Sequence, residues 1–215
     1  MKRIVLIICL FSIMLPFANA QHRKDRQEKR FVFMSSVGFA SGAGSIKLPD
    51  YTRTVEDWKV VVNKNTNVMI HQFIGYQFNN NFQLGIGAGI DIWKRTAFIP
   101  LYLGMNVIML DKRVAPVFSL NLGYSFKWYV QATPEAVTHV IHGSDPGPMG
   151  EAGIGLRIRF NERLAIMFTA LYKAQLTSIR YTSNPANMDH ASILTDDIKK
   201  NQLYHFAGVR IGLLY

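Results

Sequence analysis

The chain has 215 residues, of which 49% are hydrophobic and 18% charged, with a formal net charge of +10. Beyond the N-terminal segment no apolar run reaches the ~18 residues of a membrane-crossing helix, which excludes a helical membrane protein. One cysteine, Cys9, is present, too few for a disulfide framework or a thiolate metal site.

The first twenty residues have the three parts of a secretory signal. Lys2 and Arg3 precede a mostly apolar run over 4–17, and Ala18, Asn19 and Ala20 form a small-x-small cleavage site. A retained anchor helix would need a longer run, so the mature chain is expected to begin at Gln21. Cys9 lies inside the signal, after Ile7 and Ile8 rather than in a lipoprotein box. Residues 21–30, QHRKDRQEKR, contain no apolar side chain and read as a charged periplasmic leader. The mature chain keeps 22 basic and 14 acidic residues, a net +8. That charge is dispersed, and an exported protein with dispersed charge is not expected to bind nucleic acid.

From residue 31 onward, strand-like segments follow one another. Eight are expected, at 31–40, 68–78, 82–92, 97–109, 114–127, 150–160, 163–175 and 202–215. In 82–92, one face carries Phe82, Leu84, Ile86, Ala88, Ile90 and Ile92, and the other Gln83, Gly85, Gly87, Gly89 and Asp91. Side chains along a strand alternate between faces, so each segment has a greasy side and a small or polar side. Tight turns are expected at 79–81, 110–113 and 161–162, built from residues that tolerate turn conformations. Longer excursions fall at 41–67, 129–149 and 176–201, and 93–96 is short. Short turns at one end and long loops at the other match the asymmetry of membrane barrels, with an even strand count placing both termini on the periplasmic side.

Alternation alone does not separate a membrane barrel from a secreted soluble barrel or sandwich. Volume does. The apolar faces together hold on the order of forty mostly bulky side chains, and an eight-stranded interior has room only for a modest packed set. The apolar band must therefore face lipid, giving an all-β, eight-stranded antiparallel up-and-down transmembrane β-barrel over residues 31–215. Phe82, Trp93, Phe126, Trp128, Phe160 and Tyr215, at or near segment ends, are expected in interfacial girdles. A basic protein in such a membrane is expected to attract anionic lipopolysaccharide.

In the last segment Leu203, Ala207, Val209, Ile211, Leu213 and the terminal Tyr215 alternate on one face. This resembles the closing strand of the small outer-membrane protein β-barrel family, of the eight-stranded OmpX and OmpA-barrel kind. IPLYLG at 99–104 and SLNLGYSF at 119–126 are similar to mid-barrel strands of that family. The resemblance implies an address in the outer membrane of a Gram-negative-type bacterium. It also implies that Val209, Ile211, Leu213 and Tyr215 form the signal read by the barrel-assembly machinery. His205, on the same outward face, departs from the pattern.

Inward-facing positions carry Lys127, Lys173, Arg157, Arg159 and Arg210 against Asp91 and Glu151. Charges in so narrow a space need partners or water. Turning the chain at 161–162 sets Glu151 beside Tyr172 and diagonal to Lys173, which predicts a cluster of Glu151 with Lys127 and Lys173. The remaining cations could line an anion path or, with Tyr102, Asn106, Asn121 and Tyr204, fill the interior as a plug. An eight-stranded interior favours the plug.

Three further motifs bear on possible chemistry. Thr133, Pro134 and Glu135 open a helix-like piece that Gly143 would stop, placing Glu135, His139 and His142 on one helical face near Asp145. Such a trio could hold zinc, but the spacing is weakly specific and ordinary loop polarity is the favoured explanation, so no metal site is expected. His71 is expected inward as a hydrogen-bonded core histidine; lipid A modification would need a nucleophile, base and acid together, and none stand grouped. GIGAG at 85–89 lies within a strand, and its glycines serve packing. No cofactor is expected. Loop residues Tyr51, Arg53, Trp58 and Lys59, with Arg180, Tyr181, Lys199 and Lys200, mix aromatic and basic chemistry suited to carbohydrate, lipopolysaccharide or another extracellular ligand. The expected function is a non-catalytic structural or surface-interaction role, with a lipid A-modifying enzyme and a narrow solute channel as alternatives.

Overall fold

A computed structural model describes residues 30–49, 58–93, 96–130, 139–161, 164–183 and 197–215. The described residues form strands β1 (Arg30–Ala43), β2 (Ser45–Pro49), β3 (Trp58–Val62), β4 (Thr66–Asn79), β5 (Phe82–Trp93), β6 (Thr96–Ile108), β7 (Val114–Val130), β8 (His139–Asp145), β9 (Gly147–Arg159), β10 (Ala165–Ser183) and β11 (Asp197–Leu214). Their β-branched and aromatic residues suit a pleated surface with a different solvent on each side.

Eight of these strands close a barrel in the order β11, β1, β4, β5, β6, β7, β9, β10, with β10 returning to β11. Every pairing is antiparallel. Closure runs from Met34 opposite Leu214 to Ala43 opposite His205, and the Phe33 and Tyr215 backbones exchange two hydrogen bonds of 2.8 Å. Because each strand pairs on both sides, no backbone edge faces hydrocarbon. β8 pairs with β10 beyond the end of β9, so it prolongs the wall past the barrel proper.

Burial alternates along every barrel strand, and the exposed set is the apolar one. Ile86 and Ile154 are 62% and 65% exposed, and Val37, Leu103, Leu122, Val209 and Ile211 are exposed likewise. Water would make such a belt an aggregation surface, whereas lipid is its matching solvent. Phe126, Trp128 and Phe160 are exposed and Phe82 and Tyr215 partly so. Trp93 was expected with them in the girdle, but it is buried inside the barrel. It shares strand parity with Asp91, so the pleat turns it inward despite its place at a strand end.

At the end where β1 begins and β11 finishes, side chains tie the short turns. Asn79 Oδ1 accepts from the Asn81 amide at 2.9 Å, and Asn161 Oδ1 accepts from the Leu164 amide at 2.7 Å. Asp111 joins two turns, accepting from Asn80 Nδ2 at 2.7 Å and from Arg159 Nη1 at 3.1 Å.

At the opposite end the described strands run past their expected bounds. β7 runs to Val130, β10 to Ser183, and β11 begins at Asp197. The helix expected from Thr133 to Gly143 is not formed where the chain is described, because 139–145 is strand β8. Its pairing with β10 ties the segment to the barrel wall, whereas a helix so short is only marginally stable on its own. The first excursion contains the β2–β3 hairpin, entered through Gly44 at φ +73°, a conformation glycine adopts without strain.

Candidate functional site in the barrel lumen

The inward face of the barrel has three tiers. Nearest the end opposite the short turns, Ala40, Met69, Trp93, Phe98, Leu171, Tyr204 and Phe206 form an apolar cluster. Trp93 sits at its centre, stacked on Phe98 at 5.0 Å and packed on Tyr204 and Phe206 at 4.7 and 5.3 Å between ring centroids. Ile46 of the β2–β3 hairpin joins the same cluster, with Val61 packed against it. The hairpin thus leans over the lumen rather than standing away from it.

Polar contacts hold the hairpin there. Asn63 Nδ2 donates to the His205 carbonyl at 2.9 Å. The Gln202 carboxamide, oriented to match its neighbours, donates to the Lys47 carbonyl at 2.6 Å and accepts from the Lys47 amide at 2.8 Å. Gly42 permits the approach, since a Cβ there would lie within 2.4 Å of Asn63 Cγ.

The middle tier is ionic. Lys173 Nζ bonds Asp91 Oδ2, and Asp91 Oδ1 meets His71 Nε2 at 2.9 Å. Arg210 Nη2 bonds Glu151 Oε2, while Asn121 Nδ2 donates to Glu151 Oε1 at 2.8 Å. Each carboxylate therefore has a cation on one oxygen and a further partner on the other. Such mutual satisfaction is what allows four charges to sit out of water. Tyr102 fills the space between, its ring 5.5 Å from that of His71. Gly87 makes room for that ring, because a Cβ there would lie 2.2 Å from Tyr102 Cζ.

Below lies a mixed tier. Asn106 Nδ2 reaches Gln83 Oε1 at 3.4 Å, and Gln83 Nε2 reaches Gln77 Oε1 at 3.3 Å. Val32, Met34, Phe73, Ile108, Val117, Met167 and Leu214 pack around them. A void of about 10 Å³ lies beside Arg210, Asn106, Asn121 and Thr169, the scale of a single water molecule.

The expected cluster of Glu151 with Lys127 and Lys173 is not the one formed. Lys127 is exposed at the rim, next to an irregularity in the β6–β7 register between Ala97 and Phe98 that ends regular alternation there. Lys173 lies directly opposite Glu151 in the β9–β10 ladder, not diagonal to it, and sends its ammonium to Asp91. Arg159 is a half-exposed rim residue bound to Asp111, whereas Arg157 is buried. Tyr102, Asn106, Asn121 and Tyr204 are buried inward.

Of the zinc candidates, Glu135 lies outside the described residues. His139 and His142 lie within strand β8 rather than a helix. No group of three metal-ligating side chains occurs among the described residues. Residues 1–29, Tyr51 and Arg53 are outside the described set; Trp58 and Lys59 lie on β3, Arg180 and Tyr181 on β10, and Lys199 and Lys200 on β11.

On the outer face, Val209, Ile211 and Leu213 point to lipid. His205 shares that face without disturbing the register, because Tyr172 Oη meets its Nδ1 at 2.6 Å. The apolar tier was missed from sequence, although the matching parity of Trp93, Asp91 and Gly89 signalled it.

No protein-family model matches the chain, and no curated protein does. Among solved structures, the barrel is similar to the outer membrane protein OprG from Pseudomonas aeruginosa, with a TM-score of 0.56 and 13% identity over 89% of this chain and 99% of that one. It is also similar to outer membrane protein AlkL, at 12% identity, coverage of 91% and 94% and a TM-score of 0.44. Neisserial surface protein A gives 11% identity, 84% and 95% coverage and a TM-score of 0.42. The fold shared with OprG, together with the lipid-facing belt, defines the chain as a small eight-stranded outer-membrane-type β-barrel.

Proposed function

We propose that the protein is a non-catalytic integral outer-membrane barrel of a Gram-negative-type bacterium, whose structural or surface-interaction role is carried at its extracellular end. The observation behind this reading is the filled lumen: an aromatic tier capped by Ile46 lies over two buried, mutually neutral ion pairs. An interior so packed and charge-compensated serves rigidity better than passage. The extracellular end is then the place left for recognition, and its prolonged strands β7, β8, β10 and β11 build a wall on which a ligand surface can be displayed.

In this reading the lipid belt and basic excess meet outer-membrane lipid and lipopolysaccharide, and the C-terminal strand is presented to the barrel-assembly machinery. His71 and Asp91 superficially pair like a base and its orienting acid. Both are about 1% exposed, and the second carboxylate oxygen is taken by Lys173. That environment suits a brace better than acyl transfer.

Conductance across a planar bilayer is the test. The reading expects no resolvable single-channel steps from purified protein. Steady open-channel current would replace it with the narrow-channel function, and a change in lipid A mass on expression would replace it with an enzyme.

A further inference from the structure

A polar pair, His205 and Tyr172, interrupts the lipid-facing wall. His205 lies on the outward face of β11 in line with Leu203, Ala207, Val209, Ile211 and Leu213, and it is partly exposed. Tyr172, on β10, is 49% exposed beside it. The rings stack at 5.8 Å with a 28° interplanar angle, and Tyr172 Oη meets His205 Nδ1 at 2.6 Å. The residues directly opposite them in the ladders are all alanines: Ala43 and Ala174 for His205, Ala207 and Ala152 for Tyr172. The pair therefore stands on a floor of methyl groups, with no bulky side chain directly opposite to cover it.

The strand itself gives the height of the pair on the wall. Ten residue steps separate His205 from Tyr215 at the closing seam, and at ~3.3 Å per residue on a strand tilted ~40° they rise about 25 Å along the barrel axis. The apolar band of an outer-membrane barrel is also ~25 Å tall, so Tyr215 and His205 mark its two boundaries. β1 leaves the barrel at the same level, since Ala43, opposite His205, is its last residue. An ionisable side chain on a lipid-facing wall is costly unless a partner meets it. With the Tyr172 hydroxyl donating to Nδ1, the ring hydrogen sits on Nε2, and a protonated ring keeps one there too. Nε2–H is thus a donor at the depth of the headgroups, where phosphate oxygens are the strongest acceptors that a lipid presents.

We propose that the His205 and Tyr172 pair binds a phosphate of lipid A, the membrane anchor of lipopolysaccharide, with Nε2–H donating to a phosphate oxygen and Tyr172 fixing the ring. This contact rests on the outer-membrane reading above, which puts this end of the barrel in the outer leaflet. The backbone is held still there, because the His205 carbonyl accepts from Asn63 Nδ2 of the hairpin segment at 2.9 Å. Beneath the pair, the exposed row of Val209, Ile211 and Leu213 offers the acyl chains an apolar track.

The experiment follows the His205 Nε2 and Hε1 resonances of the folded protein in phosphate-free maltoside micelles, at constant ionic strength. Phosphorylated lipid A, the same lipid dephosphorylated, and phosphatidylglycerol are titrated in turn. A saturable shift with phosphorylated lipid A alone is the expected result. His205→Phe keeps a ring on Tyr172 but lacks Nε2, so its retention of phosphorylated lipid A, measured by native mass spectrometry, should fall on the order of tenfold. No saturable shift, or an equal one with the dephosphorylated lipid, makes the pair an interfacial anchor only and overturns the proposal. An equal shift with phosphatidylglycerol, or unchanged retention by folded His205→Phe, overturns it as well. Should that variant fail to fold, the wild-type resonances decide alone. None of these results changes the conductance expected of a filled lumen, so the proposed surface role stands or falls separately.

Discussion

Lys173 stands directly opposite Glu151 in the β9–β10 ladder, yet its ammonium bonds Asp91 on β5. In the closed order of eight strands, β5 and β10 are four places apart in either direction, so this pair spans the diameter of the barrel. Glu151 instead takes Arg210 from β11, two places away. Lys173 therefore braces opposite walls, a task no adjacent-strand pair performs.

Breaking that brace on one side should be far worse than removing it whole. Asp91→Asn leaves a fully buried ammonium without its counter-charge, for an expected loss of about 3–5 kcal/mol. Asp91→Asn combined with Lys173→Met should recover most of that loss, since an uncharged pair has no desolvation debt. Urea unfolding in lipid vesicles, followed by tryptophan fluorescence, measures both. Equal destabilisation of the single and double variants would show that the charge pairing itself is not what matters.

Gly87 and Gly150 should respond very unequally to the same substitution. A Cβ at Gly87 would lie 2.2 Å from Tyr102 Cζ, in the packed ionic tier, whereas at Gly150 the nearest atom is Leu122 Cδ2 at 3.4 Å. Gly87→Ala is expected to cost about 1–3 kcal/mol through displacement of the ring. Gly150→Ala should be near neutral. Shortening the obstacle, Tyr102→Leu, should reduce the cost of Gly87→Ala, and the same unfolding assay checks all three.

These relationships mark what sequence could and could not disclose. Period-two alternation placed Asp91, Glu151, Lys173 and Arg210 inside and Val209, Ile211 and Leu213 outside, because the pleat alone decides the face. It could not choose their partners. Asp91 and Lys173 are 82 residues apart and meet only because closure sets β5 against β10. Lys127 shows the complementary failure: counting by twos puts it inside, and a local irregularity invisible in residue types returns it to the rim. The β2–β3 hairpin was hidden for another reason, since five-residue strands carry too few alternations to stand out from a loop.

The hairpin should undock without unfolding the barrel. Ile46 is its buried apolar anchor on the Trp93 tier, while Val60 and Val62 are exposed. Ile46→Ala is expected to weaken docking by about 2–4 kcal/mol, lost locally because the eight-strand closure does not include β2 or β3. Hydrogen exchange should quicken at the amides of 59–62 and stay slow at 84–88. Slow exchange throughout in the variant would mean that the Asn63 and Gln202 contacts suffice to hold the hairpin.

Tyr215 offers the means to separate a ring from its hydroxyl at the closing seam. Its backbone bonds Phe33 twice at 2.8 Å, its ring stacks on Phe33 at 6.0 Å with a 16° interplanar angle, and its Oη lies 3.3 Å from Ser35 Oγ. Gln72 Nε2 approaches the same oxygen at 3.4 Å, and Ser35 Oγ donates to Gln72 Oε1 at 2.7 Å. Tyr215→Phe keeps the aromatic stack and the backbone bonds, and Ser35 and Gln72 still satisfy each other, so the expected loss is about 0.5–1.5 kcal/mol. Tyr215→Ala also removes the stacked ring and should cost more, by roughly the 0.5–1.5 kcal/mol of an aromatic pair in addition to the lost burial. The midpoint temperature for loss of the compact, heat-modifiable band on a denaturing gel orders the three proteins as wild type, then Phe, then Ala. If Phe proves as damaging as Ala, the hydroxyl network across β4, β1 and β11, rather than the ring, is the seam's dominant contact.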